Sequence, residues 1–153
     1  NMKLLLTFFI CLFFSKSHSQ KNTIKYIHFH NHNSIRVYSD LDIYISQIND
    51  SVYVYVKTYK IEKNYSIPNE KLLKLSNAIL KINPKDIMQD VRICLDAGKT
   101  EINFSSTGFI PQNLVTYKVS CLSQEDNKTI WKEYLNAVNL ILENAKLKLS
   151  DLE

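Results

Sequence analysis

Glycine is almost missing from this chain: 153 residues carry only Gly98 and Gly108. A glycine-rich phosphate cradle needs several glycines at fixed spacing. Neither the G-x-x-x-x-G-K-[ST] loop nor the G-x-G-x-x-G turn can therefore be written. Other signatures of catalysis are missing too: there is no H-E-x-x-H, no G-x-S-x-G nucleophile elbow and no C-x-x-C. No basic run occurs either. The 19 Lys and Arg are scattered among 15 Asp and Glu, which argues against a nucleic-acid partner. Repeats and low-complexity segments are also lacking. What is present is the composition of a folded domain, with 45% hydrophobic and 22% charged residues. The length suits one such domain.

Residues 1–19 read as a secretory signal peptide. Lys3 is the positive start, residues 4–14 are apolar except for Thr7, and Ser17 and Ser19 are the small residues ahead of a cleavage before Gln20. The run is short for a bilayer core of about 30 Å, so no stable membrane anchor is expected after cleavage. Cys11 follows bulky Ile10, which does not suit a lipid-attachment site. Asn1 ahead of Met2 reads as an added or processing residue. The expected product is a single domain over 20–153, exported to the periplasm or beyond the cell. Usage rich in Lys, Asn, Ile, Tyr and Phe suits a bacterium with an AT-rich genome.

Loss of the leader takes Lys3, Lys16 and Cys11 with it. The 19 basic residues fall to 17 against 15 acidic, a net charge of +2, and two cysteines remain. Cys94 and Cys121 are then an even pair in an oxidising compartment, and a disulfide is expected. Closing that loop stabilises a fold by about 3–4 kcal/mol in the chain-entropy model. Two cysteines alone make a poor zinc site, which wants four ligands. Neither cysteine has a histidine close in sequence to activate it.

Residues 23–30, rich in aromatic and β-branched side chains, predict a strand, followed by a polar turn at 31–34. Strand character resumes at 35–38, breaks at Ser39-Asp40 and continues through 41–48. Asn49-Asp50 makes the turn of a hairpin. Residues 51–61 then show period two, with Val52, Val54 and Val56 on one face and Tyr53, Tyr55 and Lys57 on the other. The period changes after Pro68, where Leu72, Leu75, Ser76 and Ile79 recur at helical spacing until Asn83-Pro84 stops them. A short helical turn is expected at 85–90. Further strands are expected at 91–95, 100–105 and 114–122, with Gly98 in a positive-φ turn between the first two. A long final helix, capped by Ser123 or Asp126, would bury Ile130, Tyr134, Ala137, Val138, Ile141, Leu142 and Ala145. Strands, helix, strands, helix predicts an α+β fold: an antiparallel sheet with helices packed on one face.

Two constellations point to function. His28, His30 and His32 alternate on a strand, so adjacent imidazoles share one face. Imidazole suits zinc, copper or nickel, and Asp40 or Asp42 would complete such a site. The same histidines would have to serve as base in a hydrolase, for which no serine or carboxylate pair is marked. The second constellation is tyrosine: Tyr38, Tyr44, Tyr53, Tyr55, Tyr59 and Tyr65 all lie in the first β region, and Tyr53 and Tyr55, with Lys57, fall on the strand face opposite the valines. Tyrosine joins a large contact area to a polar tip and is enriched at interfaces. The leading expectation is an exported, non-enzymatic module that binds a protein partner through this face, as an inhibitor or immunity-type protein would. A metal-binding protein built on the histidines is the alternative, and a hydrolase with an unmarked site comes after it. No other cofactor is expected.

Overall fold

Alternation of apolar and polar side chains is the main organiser of this chain. The computed structural model describes residues 23–32, 40–88, 92 and 98–152. It contains strands β1 (Tyr26–His32), β2 (Leu41–Ile48), β3 (Ser51–Thr58) and β4 (Glu62–Ile67), helices α1 (Asn69–Leu80) and α2 (Pro84–Met88), strands β5 (Lys99–Ser105) and β6 (Val115–Ser120), and helix α3 (Lys132–Asn144). The six strands form one antiparallel sheet in the order β4-β3-β2-β1-β5-β6. The expected α+β fold is what is found.

One face of the sheet is apolar and covered. Ile27 and Phe29 of β1, Ile43 and Ile45 of β2, Val52, Val54 and Val56 of β3, and Ile102 of β5 are all buried. They share a core with Leu72, Leu75 and Ile79 of α1 and with Tyr134, Val138, Ile141 and Leu142 of α3. Every fully buried Leu or Ile side chain contributes about 1.5–3 kcal/mol, so this layer dominates the stability of the fold. Two hydrogen bonds tie the helices to strands: the buried Tyr134 hydroxyl donates to the Thr100 carbonyl, and the Tyr65 hydroxyl donates to the Asn144 carbonyl.

Several local expectations are corrected. The turn expected at 31–34 begins later: Asn31 and His32 still belong to β1, where Asn31 pairs with Leu41 and Thr100. The strand expected to reach 61 stops at Thr58, whose hydroxyl caps the turn by accepting from the Lys60 and Ile61 amides. Gly98 does not occupy the positive-φ region. It sits where a Cβ would meet the His32 carbonyl oxygen at 3.0 Å, so close backbone approach favours glycine there.

The final helix also starts late. Ser123 and Asp126 do form a reciprocal capping box, but on a short 3-10 turn, Gln124–Lys128. The α-helix begins at Lys132, leaving Ile130 exposed and off the buried face. It ends at Asn144, and Lys146 beyond it takes φ 60°. The strands expected at 35–38 and 91–95 fall outside the described residues, Arg92 excepted, which lies in no regular element.

Candidate functional site on the open sheet face

Because side chains alternate, the residues between the core positions all stand on the opposite face of the sheet. No described helix packs there, and strand register lines these residues up in rows. Glu62, Lys57, Asp42, His30, Glu101 and Lys118 lie opposite one another across all six strands. Their signs alternate along the row when His30 is protonated. Asn64, Tyr55, Tyr44, His28, Asn103 and Thr116 form the next row, and Tyr53, Ser46, Tyr26 and Ser105 lie in the one after it.

The centre of this grid is a cluster of imidazoles and one carboxylate. His28 Nε2 lies 2.7 Å and His30 Nδ1 2.9 Å from the same atom, Asp42 Oδ1. The three side chains are only a quarter to a third exposed. Burial opposes ionisation of Asp42. The hydrogen bonds from His28 and His30, with their charge, outweigh it and hold the carboxyl below its ordinary value. His32 continues the alternation and pairs with Asp40 at 2.5 Å, but both are half-exposed or more. The histidine run is therefore brought together as its spacing predicts. Of the two acids named with it, Asp42 takes His28 and His30, and Asp40 takes His32.

Aromatic rings frame the cluster. Tyr44 lies flat on His28 with centroids 4.2 Å apart, and Tyr55 packs beside Tyr44 at 5.8 Å. The Tyr55 hydroxyl donates to Glu62 at 2.7 Å, and this bond raises its pKa. Tyr26, under Phe109, has its pKa pushed up to about 12, first by burial and then by Tyr44 and the Asp42 charge. Tyr53, Tyr55 and Lys57 thus share the uncovered face, as their spacing predicts, and Tyr44 joins them through its pairing with Tyr55. Tyr59 sits in the β3–β4 turn, and Tyr65 turns to the covered side to reach Asn144.

Strands β5 and β6 add residues that sequence reasoning did not single out. Glu101, opposite His30, pairs with Lys118 at 2.7 Å and accepts from Asn103 at 2.9 Å. Partial burial opposes its ionisation, but these two bonds prevail and lower its pKa. The signal was available in part: Glu101 and Asn103 flank Ile102, the mark of a polar face, but nothing local reveals that the face adjoins β1. A cleft of about 390 Å³ lies away from all of this, lined by Lys81, Gln124, Asn127, Lys132, Glu133 and Asn136 among others. It shares no residue with the imidazole cluster.

Cys121 stands directly after β6 at φ 52°, its amide donating to the Gly98 carbonyl. Its expected partner Cys94 lies outside the described residues.

No protein-family model matches the chain, and comparison with curated proteins and with solved structures finds no significant relative.

Proposed function

We propose that the chain is an exported, non-enzymatic protein-binding module that engages its partner through the open sheet face. The observation that carries this reading is the arrangement of Tyr44, Tyr53 and Tyr55 with Lys57 on a face that no described helix covers. Such a face offers rigid aromatic area with polar tips, held by regular strands instead of loops. The row that carries Lys57, Asp42, Glu101 and Lys118 adds charge complementarity, which sets orientation and partner choice. An inhibitor or immunity-type role, blocking a toxin or hydrolase outside the cytoplasm, suits a domain of this size. Export to the periplasm or beyond and the Cys94–Cys121 disulfide belong to the same proposal.

The test is comparative capture from an envelope extract in the presence of a metal chelator. Wild type is expected to retain a partner that a Tyr44→Ala/Tyr55→Ala variant of unchanged circular dichroism loses. Equal retention by both would remove the reading.

A further inference from the structure

His28, His30 and Asp42 on the open face each offer one ligand atom, and these atoms all lie within 4.8 Å of one another. We propose that these residues bind one divalent transition-metal ion of the zinc, copper or nickel class. This goes beyond the docking reading and stands independently of it.

The donor set selects the class of ion. Two imidazole nitrogens with one carboxylate oxygen suit borderline transition ions, whereas magnesium and calcium take oxygen ligands. The geometry is close to what such an ion needs. The two nitrogens are 2.7 and 2.9 Å from Asp42 Oδ1. With metal–ligand bonds near 2.0–2.1 Å, tetrahedral donors stand about 3.3 Å apart, so the two nitrogen–oxygen contacts widen by roughly half an ångström when an ion is held. Neutral imidazole has one lone pair and one proton. Each ring exchanges tautomer, so that the nitrogen facing Asp42 gives its proton to the other ring nitrogen and presents a lone pair.

The fold orders these ligands in advance. Alternation along β1 puts both imidazoles on one face, and the register of β2 sets Asp42 directly opposite His30. Tyr44, with its ring 3° from parallel to His28, fixes the plane of that imidazole. Three protein ligands on a face open to solvent leave the remaining positions to water. A second group, His30 with His32 and Asp40, shares His30 but relies on two side chains at least half exposed, which must be ordered on binding. The half-buried group is the better organised of the two.

Titration calorimetry of the full chain with Zn²⁺, paired with visible absorption of the Co²⁺ form, tests this. We expect one ion per chain. Affinity should fall at least about tenfold in His28→Ala, His30→Ala and Asp42→Asn, and less than about threefold in His32→Ala. Nitrogen NMR of the wild-type imidazoles guards against variants that fold poorly: zinc should shift the ring signals of His28 and His30 more than those of His32. Failure of wild type to bind at millimolar zinc, unchanged affinity in the His28→Ala/His30→Ala variant, or unmoved His28 and His30 signals would each overturn the site. The capture experiment is run under chelation, so either idea can fail without the other.

Discussion

Tyr44 lies flat against His28, with ring centroids 4.2 Å apart and planes within 3° of parallel. The pair joins β1 to β2 across the open face, where the two residues are opposite in register. It links the tyrosines of β2 and β3 to the imidazole cluster. Aromatic pairs of this kind contribute about 0.5–1.5 kcal/mol beyond area burial. Tyr44→Ala, which also loses buried ring area, is therefore expected to lower unfolding stability by at least about 1 kcal/mol in urea titration. Tyr44→Phe, which keeps the ring, should stay close to wild type.

The open and covered faces should respond very differently to truncation. Phe29 is fully buried beneath the helices, and Tyr53 is 40% exposed on the other side. Phe29→Ala should cost about 3–5 kcal/mol, the range for deleting a buried aromatic ring. Tyr53→Ala should cost less than about 1 kcal/mol, as an exposed position allows. Chemical denaturation of the two variants side by side checks the assignment of faces.

Tyr26 provides an alkaline signature. Burial pushes its pKa from 10.0 up to about 12, with Tyr44 and the Asp42 charge adding to the effect. A folded-state pKa above the unfolded value gives stability that is complete below the unfolded pKa and is lost as pH rises through the folded one. Stability should accordingly decline between pH 10 and about 12, and less so in Tyr26→Phe. Ultraviolet titration of the phenolate band, compared between wild type and Tyr26→Phe, should place Tyr26 among the last tyrosines to ionise.

Much of this architecture is legible in the sequence, and the gaps have physical causes. The β2–β3 hairpin follows from strict period two and from Asn49, which takes φ 55° in the turn. Helix α1 follows from its apolar spacing and from Pro68 at its start. Strand β4 escapes notice because it is an edge strand. Its backbone pairs with β3, but Glu62, Lys63 and Asn64 are exposed and show no apolar alternation. The late start of α3 is hidden because Ser123 and Asp126 cap a 3-10 turn with the same chemistry that caps an α-helix. At the site, the histidine run is visible but its acceptor is not. Asp40 and Asp42 look alike in sequence, and only the register of β1 on β2 decides that Asp42 faces His28 and His30. Pairing of β1 with β5 joins segments some seventy residues apart and brings Glu101 into the grid, and pairing of β5 with β6 then adds Lys118.

The proposed export carries a covalent consequence. Alkylation and mass spectrometry of native protein, without and with reductant, should find Cys94 and Cys121 accessible to alkylation only after reduction. Reduction should then lower stability by about 3–4 kcal/mol, the loop-closure value. Two alkylated thiols in native, unreduced protein would contradict the pairing.

The most direct test of the open face as the binding surface is photo-crosslinking in envelope extract, with the reactive group placed singly at Tyr53, at Tyr55 and at Lys81 beside the helix-side cleft. Crosslinks from Tyr53 and Tyr55 to one common protein, absent from Lys81 and abolished by Tyr44→Ala, are the predicted result. A common crosslinked protein from Lys81 alone, or none from Tyr53 and Tyr55, would contradict it.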